Sequence, residues 1–126
     1  MSNPENLYYT KDHEWLSNKS QTALVGVTAF ALEQLGDVVH VELPKIGQTF
    51  KHGDSFGTIE STKTVSDLYM PATGKILEVN KDMAQDPSKL EKDPYVKGWL
   101  IKIEVQEVFE KDLLSSKQYT DFTNNI

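Results

Sequence analysis

The strongest constraint on how this 126-residue chain folds is a period of two that recurs in short segments. In WLIKIEV, Trp99, Ile101, Ile103 and Val105 fall on one side and Leu100, Lys102 and Glu104 on the other, as in a strand with one buried face. In VVHVELP, Val39, Val41 and Leu43 oppose Val38, His40 and Glu42. Further strands are expected in HEWLS (13–17), ALVGV (23–27), SFGTIES (55–61), KTVSDLYM (63–70) and KILEV (75–79). Turn-forming groups separate them at Ser17-Asn18-Lys19-Ser20, Pro44-Lys45-Ile46-Gly47, His52-Gly53-Asp54 and Ala72-Thr73-Gly74. Short strands at this spacing predict a mainly β fold of two small packed sheets or a flattened barrel.

Three helical pieces interrupt the pattern. Thr28 caps TAFALEQLG, which stops at Gly36. Asp86-Pro87 reads as an N-cap followed by proline at the first helical position, starting a turn through Leu90. FEKDLL (109–114) precedes a capping box of Ser115 and Gln118, after which Tyr119 and Phe122 share a face, with fraying expected from Thr123 to Ile126. The whole chain is expected to form a single domain, 1–126, since this length buries enough surface for one core.

All thirteen basic residues are lysine against nineteen acids, a net charge of −6. Nucleic-acid binding is therefore not expected, because it needs positive potential and leans on arginine for base reading. No apolar run approaches the ~18 residues of a membrane span. The N-terminal MSNPENLYYTKDHEW lacks the basic and apolar regions of a leader, which predicts a cytoplasmic protein, mitochondrial only after loss of a transit peptide. With no cysteine, the chain has no thiol nucleophile or thiolate metal ligand of its own.

Sequence patterns for catalysis fail on inspection. Gly53-Asp54-Ser55-Phe56-Gly57 matches G-x-S-x-G, but a strand follows where a helix belongs, and His13, His40 and His52 all precede Ser55. His13-Glu14 opens like H-E-x-x-H, yet Ser17 stands at the second histidine's place, so no metal site is expected. Gly74-Lys75 lacks the earlier glycine and the following hydroxyl residue of a phosphate loop. What remains is GTIESTKTVSDLYMPATG (57–74), where alternation lapses at Ser61-Thr62-Lys63-Thr64. A hairpin within 55–70 with Lys63 near its tip is expected, of a turn type that the residues leave open for want of Asn-Gly or Gly-Gly.

The sequence resembles the glycine cleavage system H proteins, lipoyl-carrying relatives of the lipoyl and biotinyl carrier domains. The resemblance runs through His13-Glu14-Trp15, Val25 to Thr28, Leu35 to Val39, Val41 to Pro44 and Gly47, then Glu60 to Lys63, Val65 to Tyr69, Pro71 and Gly74. It continues in Glu78-Val79-Asn80, Asp93-Pro94-Tyr95, Gly98 to Ile101 and an amphipathic segment ending near Tyr119. Biotin carriers would carry Met-Lys-Met where Thr62-Lys63-Thr64 stands. Val96 replaces a usual glycine, which raises the expectation of a different loop path before Trp99.

The resemblance implies a barrel-sandwich hybrid of two small antiparallel sheets, with short flanking helices and a C-terminal helical segment at about 108–123. It implies a monomeric carrier rather than an enzyme, with lipoic acid joined covalently to Lys63. The arm would carry the aminomethyl group of glycine from a pyridoxal-phosphate-dependent glycine decarboxylase to a tetrahydrofolate-dependent aminomethyltransferase. Reducing equivalents would then pass to a flavin (FAD) dihydrolipoyl dehydrogenase. Glu60 and Gly74 match positions used in recognition by lipoylating enzymes, the glycine also reading as a turn residue of positive φ. Glu14 and Asp67 are candidates for holding the loaded arm's amine. The alternative is a storage or relay protein that donates lipoate to other lipoyl-dependent complexes.

Overall fold

The computed structural model describes residues 3–126. One antiparallel sheet has six strands in the order β1 (Tyr8–Tyr9), β2 (Glu14–Leu16), β3 (Thr22–Val27), β9 (Ile101–Glu107), β8 (Thr73–Val79) and β5 (Thr49–Phe50). The second has three, with β6 (Ser55–Ser61) between β4 (Val38–Glu42) and β7 (Val65–Tyr69). The barrel-sandwich hybrid with short flanking helices is what the chain forms, and neither sheet closes on itself.

Between the sheets lies a core that includes Leu16, Val25, Val41, Phe56, Ile59, Leu68, Ile76, Leu100, Ile101 and Ile103. On the outer side of β2 a second cluster gathers Leu7, Tyr9, Trp15 and Tyr119, so the six-stranded sheet is covered on both faces here. Trp15 Nε1 donates to the carbonyls of Val27 and Pro94, both at 3.1 Å, satisfying the buried indole.

Strict alternation fails where the strands bulge. In β4 the register shifts between Val38 and His40, which turns Val38 and Val41 inward and leaves Val39, expected beside Val41, 51% exposed. A second shift between Ser55 and Gly57 in β6 puts Phe56 and Ile59 in the same core, although two-residue counting assigns them to opposite faces. Leu100 also departs from the expectation: it precedes β9 and is fully buried, because both sides of the chain are covered there.

Helix α1 (Ala29–Leu35) is capped as expected, Thr28 Oγ1 accepting from the Ala31 N–H. At its exit Gly36 takes φ 84° and ψ −152°, a conformation open to glycine. Two short helices follow β8. The first, α2 (Lys81–Gln85), has no counterpart in the sequence reading. The second, α3 (Lys89–Lys92), starts later than an Asp86 cap would place it, with Ser88 at the N-cap. Asp86 and Pro87 instead supply the carbonyls that receive the Lys89 and Leu90 N–H groups. Helix α4 (Ser116–Asn124) carries the expected capping box of Ser115 and Gln118. It runs through Thr123 and Asn124, where fraying was expected, and Thr123 Oγ1 donates to the Thr120 carbonyl.

Candidate functional site

The β6–β7 hairpin presents Lys63 at its tip. Neither Thr62 nor Lys63 has a positive φ, so the turn is not one of the glycine-type hairpin turns. Ser61 closes it instead: its hydroxyl accepts from the Lys63 and Thr64 N–H groups, each at 3.1 Å, while its own N–H donates to the Thr64 carbonyl at 2.8 Å. Ser61 is buried. Its structural work is to replace the missing turn residues. Thr62 is exposed and its N–H donates to the Asp37 carbonyl at 3.1 Å, which fastens the tip to the chain leaving α1.

The Lys63 side chain is exposed and lies across the C-terminal end of α1. Its Nζ donates to the Gln34 carbonyl at 3.2 Å, a favourable place for a cation at the negative end of a helix. A Cβ on Gly36 would sit 3.2 Å from Lys63 Cε, so the bare glycine leaves room for the lysine stem. Glu60 is exposed on β6, opposite Val65 on one side and His40 on the other.

At the far end of β7 lies an acidic cluster. Glu14 is 2% exposed, with Oε1 accepting from Thr10 Oγ1 at 2.9 Å and Oε2 from the Tyr69 N–H at 3.2 Å. Burial pushes its carboxyl up to about 8, against the opposing pull of those two hydrogen bonds. Asp67 is exposed, accepts from Ser55 Oγ at 3.2 Å and lies 3.5 Å from the Tyr69 hydroxyl. The charges of Asp67, Asp12 and Glu14 raise the Tyr69 phenol, Asp67 most strongly. Glu14 also lines a cavity of about 280 Å³ with Thr10, Asp12, His52, Met70 and Asp112. Tyr69 thus joins Glu14 and Asp67, which the sequence proposes as a pair but gives no means of linking.

Gly74 stands apart from these residues. It is part of β8 in the six-stranded sheet, beyond the end of β7 opposite Lys63, and its φ is not positive, contrary to the turn reading. Glycine is needed there because a Cβ would meet the Glu104 carbonyl oxygen at 2.8 Å. Ser55 of the rejected G-x-S-x-G donates to the Gly57 carbonyl and to Asp67, and His52 faces Asp112 at 3.3 Å. Val96, in place of the usual glycine, is 71% exposed with no positive φ, and the Asp93 carboxylate receives the Val96 and Lys97 N–H groups. The loop before Trp99 therefore needs no glycine at this position.

Comparison with known proteins covers nearly the whole chain. The family model described as glycine cleavage H-protein matches residues 7–126. A glycine cleavage system H protein of Streptomyces avermitilis is 48% identical over 126 residues, covering 99% of this chain and all of the relative. One from Listeria monocytogenes is 48% identical over 120 residues, covering 94% and 96%. The crystal structure of a glycine cleavage system H protein from Mycobacterium marinum superposes with a TM-score of 0.92 at 41% identity, over 98% of this chain and 100% of that one. With fold and full-length similarity in agreement, the chain belongs to the glycine cleavage H-protein family and has that family's carrier role in glycine cleavage.

Proposed function

We propose that the chain works as one lipoylated carrier unit, a cytoplasmic monomer, with lipoic acid joined by an amide to Lys63 Nζ. The observation that carries this reading is the exposed Lys63 amine at the end of a two-stranded stalk, held by one main-chain carbonyl and flanked by exposed threonines. The residues fit the group: the side chain is accessible to a modifying enzyme, and the β6–β7 ladder sets the amine away from the core. When bound, the lipoyl group supplies the dithiolane sulfurs that take up and release the one-carbon unit of glycine and carry reducing equivalents.

The chain's own residues divide the remaining work. Ser61 and the Thr62–Asp37 bond fix the direction in which Lys63 leaves the tip. Glu60 and Gly74 serve the lipoylating enzymes, Glu60 as an exposed acid near the amine and Gly74 by keeping β8 close to β9. Glu14 and Asp67 hold a cationic amine on either side of Tyr69. Lys63 and Asp67 are four residues apart, at most about 13 Å at ~3.3 Å per residue, within reach of a lysine extended by an eight-carbon acid. Near neutral pH the buried Glu14 carboxyl is mostly protonated, and a cation placed against it offsets the burial penalty and drives the proton off.

Three enzymes would use the unit in turn: a pyridoxal-phosphate glycine decarboxylase, a tetrahydrofolate-dependent aminomethyltransferase and an FAD-containing dihydrolipoyl dehydrogenase. The test is glycine–bicarbonate exchange with purified decarboxylase. Lipoylated wild type is expected to support exchange and the K63R variant to fail. A protein that gains the lipoyl mass on Lys63 yet supports no exchange would be a relay donor, and the carrier reading would be wrong.

A further inference from the structure

Beside the C-terminus of α1 is a cavity of about 280 Å³, separate from the one at Glu14, with Leu32, Gly36 and Pro94 in its lining and Glu33, Asp37 and Glu91 around them. Its size is near the lower end for small-molecule sites, roughly 300–1,000 Å³. Leu32 and Pro94 are buried, whereas the three acids are exposed. The cavity begins at Gly36, the residue over which the Lys63 stem already lies, with Nζ 3.7 Å and Cε 3.2 Å from the position of a Cβ. The hairpin tip is tied to the same edge by the Thr62 bond to Asp37 and by pairing of Ser61 with Val38.

We propose that this groove between α1 and α3 is a resting place for the acyl arm of Lys63 when the arm carries no amine. The inference rests on the attachment of that arm at Lys63. Acylation turns the ammonium into an amide but leaves one N–H on the same nitrogen, so the Gln34 carbonyl keeps a donor. The acyl carbons then continue from a stem already directed over Gly36, and the apolar lining at Leu32 and Pro94 receives them. Glu33, Asp37 and Glu91 repel a carboxylate, so the groove accepts the neutral, attached arm and rejects the same acid free in solution. The two ends of β7 therefore serve two states of one arm: an apolar groove at the tip for the neutral arm, and the acidic cluster at Tyr69 for a cationic one.

The experiment compares the unmodified full-length protein with protein octanoylated on Lys63, the octanoyl chain being the probe. Intact mass first reports whether Lys63 accepts the acyl group; no gain would overturn the attachment, and the groove with it. In acylated protein, NMR is expected to show contacts between acyl methylenes and the Leu32 methyls, with shifts at Gly36 and Asp37. Free octanoate is expected to produce neither. Shifts confined to residues 61–65, or acyl contacts at Tyr69 and Met70, would overturn the groove while leaving the attachment intact. In an E33W variant, where an indole at an exposed position blocks the groove, those contacts are expected to vanish. In a second sample of E33W lipoylated on Lys63 and reduced, thiol alkylation is expected to be faster than in the wild type prepared the same way, because the sheltered state is removed. An E33W protein that keeps the Leu32 contacts, or whose alkylation rate equals wild type, would likewise overturn it.

Discussion

Replacing Glu14 by glutamine is expected to remove the pH dependence that this residue imposes on stability. The carboxyl is 2% exposed, and burial raises it to about 8 from an ordinary value of 4.5. Between those values the folded chain holds a proton that the unfolded chain has released, so unfolding free energy falls as pH rises through the window and levels off above it. At about 1.4 kcal/mol per pH unit the gap sets an upper bound of roughly 5 kcal/mol on the loss. Glutamine keeps an oxygen for the Tyr69 N–H and offers its amide to Thr10, whose hydroxyl also accepts from the Glu14 N–H at 3.2 Å. His13, lowered chiefly by burial, has the opposite sign, since its contribution is lost as pH falls. It is common to both proteins and cancels in their difference. Urea unfolding from pH 5 to 9 is the assay: wild type should lose several kcal/mol relative to E14Q as pH rises. Parallel stability curves for the two proteins would refute the reasoning that Glu14 is buried and protonated.

Removing the Ser61 hydroxyl leaves the Lys63 and Thr64 N–H groups without their acceptor; S61A should lose about 1–2 kcal/mol in urea unfolding and be lipoylated more slowly. Ala at Gly74 would push its Cβ against the Glu104 carbonyl, so G74A is expected to lose about 1–3 kcal/mol as β8 shifts from β9. Tyr119 Oη lies 2.7 Å from both His13 Nδ1 and Thr28 Oγ1. Y119F should therefore cost about 1–3 kcal/mol by leaving buried polar groups short of a partner, with lipoylation of Lys63 unchanged.

The long strands were legible because each keeps enough of the period of two to show a core face. β1 and β5, at two residues each, are too short to show a period at all. The faces of Val39, Phe56 and Ile59 do not follow from counting by two for one reason: a bulge changes the phase of a strand without leaving a residue type that marks it. Helix α2 has no capping bond to announce it, since the Asn80 amide at its N-cap donates to the Lys97 and Trp99 carbonyls instead. In the candidate site, alternation on both sides pointed to Lys63. What the lysine touches could not be read, because Gln34 and Gly36 are distant in sequence and act through a carbonyl and a missing side chain. Nothing in the segment His13-Glu14-Trp15 shows that Glu14 is buried. Its burial depends on the three-stranded sheet, from whose Tyr69 N–H its carboxyl accepts across a long stretch of sequence, and on Thr10 beside it. Ser61 did carry a readable signal, a hydroxyl residue heading a four-residue turn, which also explains how the hairpin closes without glycine.

The most direct measurement is the intact mass, with peptide mapping, of wild type and K63R produced with a lipoate ligase and lipoic acid. Wild type is expected to gain one lipoyl amide located on Lys63, and K63R none. A lipoyl mass on K63R, or a wild-type protein whose acyl group maps to another lysine, would contradict the assignment of the hairpin tip as the attachment point.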